Sequence, residues 1–187
     1  MTEIISARSV YSGWSSLSIA TVRGRDGRSF ERIVEHHGFS ACVLPYDPER
    51  KTAILVSQFR APVRVASGQA SLLEAIAGLT DGEDPSVAAT REALEEAGLR
   101  LSELEPAGIA WVMPGLSTER MNLFLARYSP ADRVAAGGGE AHEHEDIAVV
   151  ELSLGDVAAM ADAGTLNDLK TLALVQTLRV RRPALFR

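Results

Sequence analysis

Residues 78–99 read GLTDGEDPSVAATREALEEAGL, and within them Asp81, Glu83, Asp84, Glu92, Glu95 and Glu96 crowd carboxylates into one short stretch. Glu92, Glu95 and Glu96 stand at i, i+3 and i+4, so on a helix all three project from adjacent parts of one face. Like charges at that spacing repel and contribute nothing to the helix by themselves. Two readings compete. One is a solvated face, but such faces are usually laced with basic residues at matching spacing, and within the helix only Arg91 offsets these acids. The other is a divalent cation, since magnesium takes oxygen ligands, commonly one or two carboxylates plus substrate phosphates. That reading implies phosphate chemistry, with Arg91 orienting a neighbouring carboxylate by a charge-assisted bond.

The acids need a helix to carry them. Asp84 can cap free backbone N–H groups, Pro85 suits the first helical position and Gly98 suits the stop, which predicts a helix over Pro85–Ala97. Val87, Ala88, Leu94 and Ala97 are expected on its packed side. Upstream, alternation in LSIATVRG, an Asp26-Gly27 turn and the return in SFERIVEH predict an antiparallel hairpin. FSACVLPYD and TAILVSQFR are more apolar and read as buried strands around a polar turn at residues 47–51. Downstream, GIAWVMPG, RMNLFLARY and DIAVVELSL read as strands, before helices near residues 155–162 and 168–180. The last helix carries Leu169, Leu172, Leu174, Val175 and Leu178 on an apolar stripe. Strands, one helix, more strands and closing helices imply an α+β layered domain with a mixed sheet. AAGGGEAHEHED, residues 135–146, is glycine-rich and then acidic, and is expected to be a mobile loop.

Composition narrows the class. With 187 residues, 46% hydrophobic and 24% charged, the chain reads as one globular domain over residues 1–187. A net charge of −6 argues against nucleic-acid or membrane-surface partners, which reward a basic face. Cys42 is the single cysteine, so the chain has no intramolecular disulfide and no thiolate cluster for zinc. Met1-Thr2-Glu3 lacks the opening of a signal peptide, and no apolar run approaches the length of a membrane span. The expectation is a soluble, cytoplasmic protein.

The acidic segment resembles the signature of the Nudix hydrolases, G-x5-E-x7-R-E-U-x-E-E-x-G-U with U a bulky apolar residue. Glu83, Arg91-Glu92, Glu95-Glu96, Gly98 and Leu99 match in spacing. Two positions depart from it: Ala77 stands where the first glycine is expected, with Gly78 one place late, and Ala93 is small at an apolar position. The glycine shift suggests a loop one residue shorter. The resemblance implies an α/β/α sandwich around a mixed sheet and hydrolysis of a nucleoside diphosphate linked to another moiety. It also implies that Glu92 and Glu96 are metal ligands, that Glu95 assists or ligates a further ion, and that Arg91 orients the acids. The ions would be Mg2+, with Mn2+ as a substitute, neutralising the pyrophosphate and activating water.

Other features resemble the branch of that family that hydrolyses ADP-ribose and GDP-mannose. SQFR, ending in Arg60, is similar to a strand-end motif whose arginine helps build the substrate site. LLEAIAGL is similar to a Glu-x-x-Ala-Gly run in which the carbonyl at Ala77 adds a metal ligand. Pro114, fifteen residues beyond Leu99, and Gly115 in MPGLSTER resemble a loop ending in a substrate-site glutamate, here Glu119. In EAHEHEDI the resemblance makes Glu143 the general base and brings Glu145 to the metals. The short signature loop and AGGGE favour GDP-mannose over ADP-ribose. Phe59 and Trp111 are expected to be packing residues, since an aromatic in a strand is usually core. The resemblance further implies a homodimer, with residues 1–38 as a dimerising hairpin region beside a catalytic core at 39–187. Two alternatives stand beside the enzyme. A nucleotide-sugar-binding module would be expected to lose one or more of these acids, all of which are present, and a house-cleaning nucleoside triphosphate hydrolase fits the signature but not Pro114 or the acidic loop.

Overall fold

The chain runs β1 (Glu3–Ser12), β2 (Ser16–Arg23), β3 (Ser29–His36), β4 (Phe39–Asp47), β5 (Thr52–Gln58), α1 (Ala61–Ser67), β6 (Leu72–Glu74) and β7 (Ile76–Leu79). It continues as α2 (Pro85–Ala97), β8 (Leu104–Trp111), β9 (Arg120–Arg127), β10 (Ala148–Ser153), α3 (Leu154–Asp162) and α4 (Leu169–Arg181). The structure is a computed structural model and describes residues 1–140 and 146–187. Glu143 and Glu145, singled out above, lie outside the described residues.

Side chains of a strand alternate between faces, and the apolar runs use both. In β4, Ala41 and Val43 enter one apolar layer while Cys42, Leu44 and Tyr46 enter the other. In β5, Ile54 and Val56 divide from Ala53 and Leu55 in the same way. The first layer is closed by α2 through Ala88, Ala89, Ala93 and Ala97, the second by α3 and α4 through Leu154, Val157, Leu174, Val175 and Leu178. The result is a helix–sheet–helix sandwich. Its sheet is mixed, in the order β10-β5-β4-β9-β8, with β4 and β9 parallel and the other pairs antiparallel. The N-terminal hairpin is present and extends to a three-stranded antiparallel sheet, β1-β2-β3, turned between β2 and β3 at Asp26-Gly27.

Several expectations shift in detail. The helix predicted from its caps spans Pro85–Ala97 as read, with Asp84 accepting from the Ser86 N–H at 2.8 Å and Gly98 at φ 67°. Its packed face differs: Val87 and Leu94 are 54% and 42% exposed, and the alanines face the sheet instead. Small side chains let the helix approach the sheet closely, which accounts for Ala93, fully buried, at a position where a bulky residue was expected. Leu169 likewise leaves the apolar stripe of α4 and is 69% exposed. Within the stretch read above as a loop, Ala135, Gly138 and Gly139 donate backbone hydrogen bonds to Gly98, Glu96 and Glu95 at the end of α2.

Helix α1 and strands β6 and β7 were not foreseen. After their turn, β4 and β5 pair only at Tyr46–Ala53 and Asp47–Thr52, then diverge, and β6 and β7 fill the gap against β5 and β4. Ala75 lies between the two short strands, and its N–H donates to Thr171 Oγ1 of α4 at 2.6 Å. Both residues are buried. Thr171→Val leaves that N–H without an acceptor and is expected to cost about 1–3 kcal/mol in urea unfolding; a loss below about 0.5 kcal/mol would contradict this role for the hydroxyl.

Candidate active site

The buried alanine face of α2 sets the rotation of the helix against the sheet, and that rotation brings Glu92 and Glu96 to β7. Glu96 is buried, 1% exposed, and accepts from the Ala77 N–H at 3.3 Å. Glu92 lies over the next residue, where a Cβ on Gly78 would come within 1.9 Å of its Oε1. The glycine is therefore required at 78 and not at 77. The turn that follows β7 explains the one-residue offset: Asp81 and Gly82 both adopt positive φ, 49° and 87°, and the Glu83 N–H returns to Thr80 O at 2.8 Å. Gly78→Ala is expected to push the Glu92 carboxylate aside and reduce kcat/KM roughly tenfold, with the thermal midpoint little changed because the displaced atoms end a flexible side chain. Unaltered kinetics would show that the position of Glu92 is immaterial.

Arg91 organises the remaining acids. Its Nη1 donates to Glu92 Oε1 at 2.9 Å and Glu95 Oε2 at 2.8 Å, its Nε to Glu83 Oε2 at 3.2 Å, and its Nη2 to Leu79 O at 3.2 Å. Burial would push the guanidinium down, but the Glu83, Glu92 and Glu95 carboxylates more than offset this and hold it above its ordinary value. Arg91 thus stays charged and ties four points of the signature together. Among the described residues, no three His, Cys, Asp or Glu side chains converge closely enough to hold an ion by themselves. The donor set nevertheless suits a hard cation. A buried carboxylate at Glu96 and a second one seated on the bare backbone of Gly78 are oxygen donors held in place, beside the chain at Ala77.

Ala77, Gly78, Arg91 and Glu92 line a cleft of about 1250 Å³, and Arg60 and Glu119 line it too. Glu119 Oε1 accepts from Ser40 Oγ at 2.7 Å, and the Glu119 backbone N–H donates to Ser117 Oγ at 3.0 Å, so side chain and backbone are each held. Pro114 and Gly115 lie outside the lining, on the turn between β8 and β9, where the Leu116 and Ser117 N–H groups close onto Met113 O at 3.0 and 2.8 Å. That turn is tied to β3 by the Glu35 N–H on Leu116 O at 2.8 Å. Phe59 and Trp111, expected in the core, are 59% and 55% exposed and face the cleft. Both sit where a strand ends, so the strand no longer buries them.

Sequence reasoning passed over Glu74, Asp168 and Lys170, which also line the cleft. Glu74 lay in the quoted LLEAIAGL run, but a lone acid in an apolar strand gave no partner. Lys170 follows the N-cap of α4 and looks like a surface lysine until the fold brings it to Glu74. Trp14 reaches the cleft from the turn between β1 and β2 and packs edge-on against His37, ring centroids 4.4 Å apart.

A model of the NUDIX domain matches residues 36–172. The chain belongs to the Nudix family. GDP-mannose pyrophosphatases of Cronobacter sakazakii and Citrobacter koseri are each 37% identical to it, over 152 and 149 residues, covering 81% and 79% of this chain and 78% and 77% of theirs. The GDP-mannose pyrophosphatase of Escherichia coli O1:K1 is 36% identical over 151 residues, 80% of this chain and 78% of that protein. The crystal structure of an ADP compounds hydrolase superposes with a TM-score of 0.76 over 98% of this chain and 95% of that one at 18% identity, a likeness of fold. The chain is thus a Nudix hydrolase. No helix among the described residues is long and apolar enough to cross a membrane.

Proposed function

We propose that this protein is a magnesium-dependent hydrolase of GDP-mannose, cleaving its pyrophosphate to a nucleoside monophosphate and a sugar phosphate. The observation that carries the reading is the pairing of Glu92 and Glu96 with β7, whose Ala77 and Gly78 line the cleft, in a chain 36–37% identical to GDP-mannose pyrophosphatases. Glu92, Glu96, the Ala77 carbonyl and Glu145 would hold Mg2+, or Mn2+ in its place, and Glu95 would assist. When bound, such ions supply charge neutralisation at the pyrophosphate and a lowered pKa for water.

The chain's own residues do the rest. Arg91 keeps Glu92 and Glu95 aimed and spaced, so the carboxylates need no reorganisation when the substrate arrives. Arg60 and Glu119, on the walls of the cleft, are assigned to the substrate. Pro114 and Gly115 shape the turn that returns the chain to Glu119. Glu143 is assigned as the base that takes the proton of the attacking water, a task a carboxylate on a loop can perform. The homodimer is part of the same reading: the outer strand β1 is exposed along its whole length and offers an edge and a face to a second copy.

A panel of nucleotide sugars incubated with Mg2+, with products separated by chromatography, tests the assignment. GDP-mannose is expected to be turned over with the highest kcat/KM and to yield GMP and mannose 1-phosphate. Preference for ADP-ribose would correct the substrate, and no turnover of any member of the panel would overturn the reading.

A further inference from the structure

Glu74 lines the cleft at 2% exposure, and none of the chemistry above uses it. Arg60 meets it side-on, Nε to Oε1 at 2.8 Å and Nη2 to Oε2 at 3.1 Å, and Lys170 Nζ donates to Oε2 as well. Burial would raise the Glu74 carboxyl, but the Arg60 guanidinium and the Lys170 ammonium more than offset it and hold it below the ordinary carboxylate range. It is an anion gripping two cations. Lys170 Nζ also reaches Asp168 Oδ1 at 3.0 Å, and Asp168 caps α4 by accepting from the Thr171 N–H at 3.0 Å. Thr171 Oγ1 in turn accepts from the N–H of Ala75, the residue next to Glu74. The carboxylate is therefore fixed through its own backbone as well as its partners.

A buried ionic cluster is a weak source of stability, because apolar residues of similar volume usually serve as well. The four charges, Arg60 and Lys170 against Glu74 and Asp168, also cancel, so this wall attracts no anion by net charge alone. What the cluster supplies is direction. A bidentate pair fixes the plane of a guanidinium. With Nε and Nη2 taken by Glu74, the Nη1 edge of Arg60 is left without a partner among the described residues, on a side chain that is 40% exposed and lines the cleft.

The geometry points to Glu74 as a positioning residue: it holds the Arg60 guanidinium so that its Nη1 edge faces the bound nucleoside diphosphate-sugar, and it seats Lys170 on the same wall. This rests on the substrate class given under Proposed function. Lys170 and Asp168 anchor the carboxylate to α4. Glu74 reaches the substrate only through Arg60, so its loss acts on substrate binding.

The test is a double-mutant cycle read in kcat and KM for GDP-mannose with Mg2+, repeated as calorimetric titration of GDP-mannose in EDTA, where no turnover occurs. Glu74→Gln is expected to raise KM roughly ten- to a hundredfold with kcat within about threefold of wild type. Arg60→Lys keeps the charge but not the planar edge, and is expected to raise KM as much as Arg60→Ala does. Adding Arg60→Ala to Glu74→Gln is expected to raise KM no more than about twofold further, because both act on one contact. A lower thermal midpoint for Glu74→Gln with KM unchanged, or single effects that multiply in the double variant, would overturn the inference. Should Glu74→Gln fail to fold, Arg60→Lys decides alone, and a KM within about twofold of wild type refutes the positioning role. Failure of the wild type to hydrolyse nucleotide sugars counts against the function, and the titration then still separates the variants; a wild type that does not bind sinks both.

Discussion

Exchange of Glu96 for Gln lowers turnover of GDP-mannose by on the order of 100-fold or more, with the fold intact. The substitution is nearly isosteric, and a glutamine carbonyl can still accept the Ala77 N–H that Glu96 Oε2 accepts at 3.3 Å. The exchange removes the charge of a side chain that is 1% exposed. Mg2+ should raise the midpoint of the wild type through mass action, and that shift should shrink or vanish in the variant. Turnover within a few-fold of wild type, or an undiminished Mg2+ shift, would remove Glu96 from the metal site.

Why this much of the molecule was legible follows from where the information lies. The caps at Asp84, Pro85 and Gly98 act within a few residues, so the helix and the common face of its acids could be read locally. The burial of β4 and β5 was equally plain, because two buried faces leave continuous apolar runs. β6 and β7 were not, since each exists only because β4 and β5 diverge and leave a gap, which is a property of the assembled sheet. The exposure of Phe59, Trp111 and Leu169 has the same origin: all three sit at the boundaries of elements, where periodicity ends and the cleft begins. Glu74 and Lys170 are ninety-six residues apart in the chain. No local pattern announces their contact. The departure of the signature at Ala77–Gly78 was visible in the sequence, but its reason, the Glu92 carboxylate lying on a bare backbone, needed the fold.

The second large effect concerns the glycine-rich segment, which the structure makes part of the site. Gly138 and Gly139 donate to Glu96 O and Glu95 O at 2.9 and 3.1 Å, capping carbonyls that the last turn of α2 leaves unpaired, and the Ile147 N–H closes on Gly138 O at 3.3 Å. The segment can lie that close only without side chains. A Cβ on Gly137 would sit 2.4 Å from Glu96 O and 2.7 Å from Ala97 Cα, both backbone atoms, and the residue has φ 73°. Gly137→Ala therefore adds a steric clash to conformational strain and is expected to cost about 3 kcal/mol, lowering the midpoint by roughly 6–12 °C. Gly164 is the control, with φ 70° and nothing within 4 Å of its Cβ position. Gly164→Ala carries the strain alone, about 1 kcal/mol, and should leave kcat unchanged. Gly137→Ala instead shifts the turn that carries Glu95 and Glu96 and should lower kcat roughly tenfold at temperatures where both variants are folded. Equal effects of the two substitutions on stability and on kcat would show that the close approach to α2 is incidental to the site.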